Sequence, residues 1–341
     1  MDLLPTSEQQ QIIDSTVTYI NDRLPLQRLR GQPPQPEILS SEAWKEVADL
    51  GWLGLGLDAA MGGIGCGPSE EVLLFRELGR VVAPPRILFT VVAAHIAAAA
   101  GNSDLAEKLA TGEALVALAV REDFGAPAGS LGKRRLYESA GASVALAIDG
   151  DMAWLVDIAD LNPQARPCLD TSISMSVADL SECPVICRVT DELACLRGAL
   201  LLASYQVGIA EKALEMIVGY AKIRQTFGRP IGAYQAVRHP CAEMSARAEE
   251  ARAQAYLASV TLADGAADAA LQISAARVLA EKAALQNADD NIQLHGGIGV
   301  TEEFDAHHLI KRATVSPQWF GDRRSHLVRV LDTPLSLELV Q

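Results

Sequence analysis

Two glycine-containing stretches decide the fold: RQTFGRPI at residues 224–231 and QLHGGIG at residues 293–299. Each follows a long helical pattern, and each on its own is typical of a helix end. Arginine favours the negative carboxyl end of a helix, whereas glycine and proline terminate helices. The order of the two stretches, with two long helices predicted between them, is more specific than either stretch alone.

The helical pattern around these stretches extends from about residue 191 to the end of the chain. Further helices are predicted over residues 236–263, 267–293, 303–315 and 323–331. In the first helix, one apolar stripe steps by threes and fours along Leu200, Ala203, Val207, Ala210, Leu214 and Ile217. The sequence therefore predicts a C-terminal domain of the four-helix-bundle type over residues 191–341.

The two preceding segments differ in their periodicity. Residues 1–113 read as helices, beginning at Thr6 and Gln9, which have the spacing of a capping box. Residues 114–190 contain short apolar runs, two of them separated by the turn signal Asp149-Gly150-Asp151. We therefore expect an α+β fold with an N-terminal helical domain, a small antiparallel β domain and the C-terminal bundle.

The composition excludes several classes of protein. Apolar residues make up 49% of the chain, enough for a large core. The 29 basic and 43 acidic residues give a net charge of −14, which argues against a nucleic-acid partner. The N-terminus lacks the pattern of a signal peptide, and the most apolar long stretch, residues 87–100, is too short to predict membrane insertion. Six scattered cysteines without a C-x-x-C motif favour reduced thiols and a cytoplasmic location.

In their order and spacing, the two stretches closely resemble the C-terminal domain of the acyl-CoA dehydrogenase family. Residues 49–84 resemble the N-terminal helix–loop–helix of that family, and residues 105–120 resemble the entry into its β domain. The resemblance implies FAD as cofactor and an acyl-CoA thioester as substrate. It also implies that the ADP half of FAD is held by Arg224, Thr226, Phe227, Gln293, Gly296 and Gly297.

The sequence departs from the family at the catalytic base, which is usually a Glu. Gly321 stands at the position of that Glu, and Gly198 stands at the alternative position on the first bundle helix. Asp322 is one residue away from the first position, but its two neighbouring arginines would make it a weak base. We expect Asp322 to be the N-cap of the last helix instead, and His326 to be a helix-surface residue.

The β domain also departs from the family. The segment that should line the flavin keeps Glu122 and Gly129-Ser130, but it has lost the Thr-Glu-Pro order, and no W-x-T segment follows. The chain thus resembles the short subunit of heteromeric acyl-CoA dehydrogenases of bacterial steroid side-chain degradation. These have two plus two chains. The resemblance implies a full-length catalytic partner that houses the flavin ring, FAD shared across the interface, and an electron-transfer flavoprotein as acceptor.

Two alternatives remain open from the sequence. The chain could be a self-sufficient homo-oligomeric flavoenzyme that uses Asp322 or another displaced acid as base. It could also be a flavin-free scaffold or thioester-binding subunit that stabilises a partner. Flavin content, measured with and without the neighbouring gene product, distinguishes the three hypotheses.

Overall fold

The computed structural model describes residues 4–31, 36, 39–122 and 129–333. The chain begins with helices, and Thr6 and Gln9 form the predicted capping box at the start of the first one. The fourth helix is apolar and buried along almost its whole length, so it is the centre of this layer. The helices are α1 (Ser7–Arg23), α2 (Ser41–Asp49), α3 (Pro68–Arg80), α4 (Arg86–Ala99) and α5 (Ser103–Ala110).

A seven-stranded sheet follows, in the spatial order β5-β6-β2-β1-β3-β4-β7. The strands are β1 (Val116–Arg121), β2 (Lys133–Tyr137), β3 (Val144–Asp149), β4 (Met152–Asp157), β5 (Gln164–Arg166), β6 (Met175–Asp179) and β7 (Val185–Thr190). The predicted hairpin at residues 149–151 is confirmed, because Asp149 pairs with Met152 and Gly150 has a φ of +65°.

The prediction of an entirely antiparallel sheet is wrong. Strand β1 pairs with β3 in parallel, with Val116 opposite Val144. The reason is the order of pairing: β2 lies antiparallel on one side of β1, and the chain then crosses to the other side of β1. A strand that returns there runs in the direction of β1, so the sheet is mixed.

The described residues after β7 are mainly helical, as predicted. Its elements are α6 (Glu192–Ile223), the short strands β8 (Gln225–Thr226) and β9 (Arg229–Pro230), and the helices α7 (Gln235–Ala263), α8 (Ala269–His295), α9 (Ala306–Val315) and α10 (Arg323–Asp332). Helix α6 is long and apolar enough to cross a membrane, but 83% of its most apolar stretch is buried inside the protein. It is therefore the core helix of the bundle.

Helices α6 and α8 run parallel, and this positions the site. Gln206 on α6 contacts Arg277 early in α8, whereas Tyr220 near the end of α6 stacks on His295 at the end of α8. Their carboxyl ends therefore meet at the same end of the bundle. Helix α7 connects them in the opposite direction, since Arg247 bonds to Asn287 and Gln254 to Gln272.

A buried arginine joins the three parts of the molecule. The guanidinium of Arg312, on α9, donates to the Asp170 carboxylate (2.6 Å) before β6, to Ser172 Oγ (3.1 Å) and to the carbonyl of Ala83 (2.8 Å) before α4. Arg312 and Asp170 are almost fully buried. Because each partner lies on a different part of the fold, this network fixes the sheet and the N-terminal helices against the bundle.

Candidate functional site

Residues 224–231 form a tight hairpin, here called the clamp hairpin. It begins at Arg224, whose backbone N–H donates to the Tyr220 carbonyl (2.9 Å) and whose carbonyl accepts from Ile231 N–H (2.8 Å). Between these ends, Thr226 pairs with Arg229. Phe227 and Gly228 form the turn with φ values of +49° and +79°, and the first of these is unusual for a residue with a side chain.

Tyr234 holds the clamp hairpin rigid. Its hydroxyl donates to the Thr226 carbonyl (2.9 Å), and the Arg229 guanidinium lies 4.1 Å from the centre of its ring. At the tip, the Phe227 side chain is 98% exposed. An aromatic ring presented to solvent on a strained, well-supported turn indicates a surface that another molecule covers.

The second stretch, residues 293–299, lies at the end of α8. Gly296 ends the helix with a φ of +67°, and Gln293, Gly296 and Gly297 are exposed. A Cβ added at Gly296 or Gly297 would meet no atom within 4 Å, so packing within this chain does not require glycine at either position. The open backbone there can be approached closely by a ligand.

Aromatic stacking joins the two stretches. The His295 ring lies between Tyr220 and Phe304, with both ring centroids 4.5 Å away, and its Nδ1 bonds to the Asn291 carbonyl (2.7 Å). Burial lowers the pKa of His295, so the ring is neutral at pH 7. The structure thus brings Arg224, Thr226 and Phe227 to the same end of the bundle as the glycines of residues 293–299.

Arg224 is one exposed cation of this surface. Its side chain is exposed and makes no hydrogen bond or ion pair with any other residue that the structure describes. The carboxyl ends of α6 and α8 carry partial negative charge, so an anionic group bound here needs a cation to neutralise it. Arg224 can supply a forked, charge-assisted contact to a phosphate.

At each of the two positions of the expected base, an added side chain would meet a neighbouring ring. A Cβ added at Gly198 would lie 2.6 Å from the Phe320 ring. Phe320 is itself buried, against Phe89. Gly321 has a φ of +91°, and a Cβ there would come 2.9 Å from Nε2 of His326. A side chain at either position would force the neighbouring ring to move.

Asp322 has a structural role. It is the N-cap of α10, as predicted, and its Oδ1 accepts from the Ser325 backbone N–H (2.8 Å) and from Ser325 Oγ (2.6 Å). The hydrogen bond from the Ser325 side chain is the main cause of a lowered pKa for Asp322. A carboxylate with a lowered pKa and occupied lone pairs is a poor general base.

The prediction that His326 lies on the helix surface is wrong. Its side chain is buried, with Nε2 3.1 Å from the Phe320 carbonyl and Nδ1 3.3 Å from Ser274 Oγ. The arginines on both sides suggested an exposed helix, but the loop before α10 folds back over this one position. Burial, followed by the charge of Arg277, lowers the pKa of His326 to about 4.

This shift predicts a pH-dependent stability. The unfolded chain binds a proton at His326 near its ordinary pKa of 6.5, whereas the folded protein resists protonation down to about 4. Stability is therefore complete above pH 6.5 and falls as the pH drops towards 4, by about 3 kcal/mol from this residue. Urea unfolding at pH 7.5 and pH 5 checks this prediction. The His326→Gln variant should lose less stability over this interval, and an equal loss in both proteins would contradict the assignment.

One buried charged cluster was not found from the sequence. The carboxylate of Glu71, on α3, is fully buried and pairs with Arg197 (2.6 Å) and His95 (2.7 Å). Burial alone would raise the pKa of Glu71, but His95 and Arg197 outweigh it and lower the pKa. In sequence, Glu71 looks like an ordinary acidic residue in the first turn of a helix. The guanidinium of Arg197, next to Gly198, is therefore engaged in the ion pair with the Glu71 carboxylate.

The segment expected to line the flavin is described only in part, since residues 123–128 lie outside the described residues. Glu122 forms an ion pair with Lys133 (3.2 Å) at the start of β2. The Ser130 carbonyl accepts from Arg134 (2.8 Å). In the described part, Glu122 and Ser130 thus bond to residues of the sheet itself.

Comparison with known proteins identifies the class of protein. Residues 6–113 match the family model "Acyl-CoA dehydrogenase, N-terminal domain", and residues 195–332 match "Acyl-CoA dehydrogenase, C-terminal domain". The chain belongs to the acyl-CoA dehydrogenase family, whose members are FAD-dependent oxidoreductases acting on CH–CH bonds.

Two curated relatives come from Mycobacterium tuberculosis. The chain is 34% identical to acyl-CoA dehydrogenase FadE34 over 293 residues, covering 80% of this chain and 40% of that protein. It is 28% identical to acyl-CoA dehydrogenase IpdE2, covering 96% of this chain and 98% of that protein. The chain therefore spans less than half of the first relative and nearly all of the second.

Two solved structures are similar along almost the whole chain. A chain of the ChsE4-ChsE5 complex from Mycobacterium tuberculosis aligns with a TM-score of 0.85 at 22% identity, covering 98% of this chain and 100% of that one. A chain of a variant of the Tcur3481-Tcur3483 steroid ACAD aligns with a TM-score of 0.83 at 26% identity, covering 95% and 97%. The first of these likenesses concerns the fold alone.

Proposed function

We propose that this chain is the subunit without a catalytic base in a heteromeric, FAD-dependent acyl-CoA dehydrogenase. In this proposal, a full-length partner houses the flavin ring and the base, and this chain holds the adenosine diphosphate half of the same FAD. The observation that carries the proposal is the rigid clamp hairpin, which presents Arg224 and Phe227 outward beside the open glycines of residues 293–299.

The residues at the end of the bundle fit the nucleotide tail of FAD. Arg224 would bind the pyrophosphate, and the exposed backbone at Gly296 and Gly297 would allow its close approach. Phe227 would pack against the dinucleotide, while Thr226 and Gln293 supply polar contacts. FAD, when bound, accepts the hydride that leaves the β-carbon of the acyl thioester. The part of this chain is to bind and orient the cofactor.

The filled base position supports the same division of roles. Deprotonation at the α-carbon needs a carboxylate within hydrogen-bond reach, and Phe320 takes the volume that such a side chain would need. Asp322, the candidate base of a self-sufficient enzyme, is engaged in capping α10. We therefore assign the proton transfer to the partner chain.

The substrate and the location are inferred from relatives and chemistry. Because the Tcur3481-Tcur3483 relative is named a steroid ACAD, we propose a steroid side-chain acyl-CoA thioester as the substrate of the complex. All six cysteines are free thiols, which favours a reducing compartment such as the cytoplasm. An electron-transfer flavoprotein is the proposed electron acceptor.

A double-mutant cycle tests whether the Phe320 ring occupies the space that a side chain at residue 198 would need. Gly198→Glu will destabilise the protein by about 3 kcal/mol or more, because it forces a charged side chain against a buried ring. Phe320→Ala alone will cost about 3–5 kcal/mol through the cavity that it leaves. In the Gly198→Glu background the same truncation will cost clearly less, as measured by urea unfolding. Additive losses would show that the two positions do not compete for space.

A further inference from the structure

The basic residues around the clamp hairpin have no acidic neighbours in sequence. Between Glu215 and Glu243 the chain has no acidic residue, although its net charge is −14. The basic residues in that interval are all exposed, and none forms an ion pair with a residue that the structure describes; they are Lys222, Arg224, Arg229 and Arg238. These four cations therefore have no ion-pair partner within the described chain.

Several other arginines in or facing the same bundle form ion pairs. Arg247 pairs with Asp290, and Arg252 pairs with Glu249 at 2.6 Å. Arg76, on the facing helix α3, pairs with Glu211 at 2.8 Å. The cations around the clamp hairpin differ in this respect from these three paired arginines.

The fold holds these cations close together. The Arg229 guanidinium stacks on the Tyr234 ring at 4.1 Å, and the backbone N–H of Arg238 donates to the Tyr234 carbonyl (3.0 Å) in the first turn of α7. Lys222 lies in the last turn of α6, just before the hairpin. We call Lys222, Arg229 and Arg238 the basic rim. The positive amino end of α7 adds to its potential.

The basic rim surrounds apolar surface. Besides Phe227, the exposed large apolar residues at this end of the bundle include Ile223 (76% exposed) and Val300 (65%). An apolar centre that contains an aromatic ring, next to arginines, has the composition of a protein–protein interface. The proposed pyrophosphate accounts for Arg224 but leaves the three rim cations without a partner.

We propose that the basic rim binds carboxylates of the partner chain, so that the partner presents acidic residues around an apolar socket for Phe227. This inference rests on the proposed function, because it concerns the same interface, and it adds the chemistry by which the partner is recognised. Complementary charges of this kind raise the association rate and select the partner. A second copy of this chain would place like charges together wherever two basic rims faced each other.

The test measures association with the candidate partner, taken as the product of the neighbouring gene and prepared free of flavin, at sodium chloride concentrations from about 50 to 500 mM. The variant is Arg229→Glu/Arg238→Glu. The matched control is Arg166→Glu/Arg188→Glu, which makes the same change of charge at two exposed positions of the sheet without ion pairs. A second control, Arg229→Lys/Arg238→Lys, keeps the charge and shows whether loss of stacking on Tyr234 alone matters.

We expect the rim variant to bind at least about tenfold more weakly at low salt and to lose most of the salt dependence. The sheet control and the lysine variant should stay within about threefold of the parent. Equal affinities for the rim variant and the sheet control would overturn the inference, and a fall in flavin content alone would assign the rim to the cofactor phosphates. If the parent chain does not associate at all, the proposed function fails together with the inference.

Discussion

Replacing Arg224 with alanine will lower the affinity of the heteromeric complex for FAD by about 100-fold. Arg224 is an exposed cation without a partner among the described residues, and it is fixed at the end of α6 by backbone bonds to Tyr220 and Ile231. A forked, charge-assisted contact to a phosphate contributes roughly 2–3 kcal/mol, which corresponds to this change in affinity. FAD titration of the flavin-free complex, followed by flavin fluorescence, measures it.

Two further variants make this result specific. Arg224→Lys keeps the charge but not the fork, so its affinity should lie between those of the parent and the alanine variant. Arg188→Ala, which removes an exposed cation of β7, should leave the affinity unchanged. Parental FAD affinity in Arg224→Ala would mean that the clamp hairpin does not hold the pyrophosphate.

Replacing Arg312 with methionine will destabilise the chain by about 3–5 kcal/mol, among the largest effects on stability that we expect. The substitution leaves the Asp170 carboxylate buried without its guanidinium partner, and it removes one of the two donors to the Ala83 carbonyl, the other being the Tyr205 hydroxyl. Burial alone would raise the pKa of Asp170, yet the charge of Arg312 and the bonds from Ser172 keep that pKa below its ordinary value. Urea unfolding at pH 7 measures the loss.

The double variant Asp170→Asn/Arg312→Met is the control. It removes both charges together, so it should be more stable than Arg312→Met alone. If the two proteins are equally unstable, the cost comes from lost packing and lost neutral hydrogen bonds, and the buried charge is not its cause.

Local patterns predicted most of the helices and one hairpin. The stripe along α6 and the capping box at Thr6 depend on residues three and four positions apart, so the sequence alone carries this information. The turn at Gly150 is equally local. The pairing of β1 with β3 is not, because it depends on which side of β1 each later strand joins, and no periodicity encodes that choice.

The residues of the clamp hairpin and of the stretch at 293–299 were predicted from their motifs. The side-chain contacts that hold these two stretches in place were not predicted. His295 read as part of a helix end, and only the structure shows its ring between Tyr220 and Phe304. These contacts follow from the parallel course of α6 and α8. A sequence that predicts two helices does not state their relative direction.

The buried charged residues and the buried Phe320 ring were the hardest features to predict. Glu71 pairs with Arg197 across 126 positions of sequence, and Arg312 pairs with Asp170 across 142. From sequence, such residues look the same as exposed charges. Likewise, the sequence shows that Glu is absent at residues 198 and 321. Only the structure shows that the Phe320 ring occupies the space next to Gly198.

The most direct test of this account is the flavin content of three preparations: this chain alone, the candidate partner chain alone, and the two expressed together. We predict no bound flavin in the first and one FAD for each pair of unlike chains in the third. Stoichiometric FAD on this chain alone, bleached by an acyl-CoA thioester, would contradict the account.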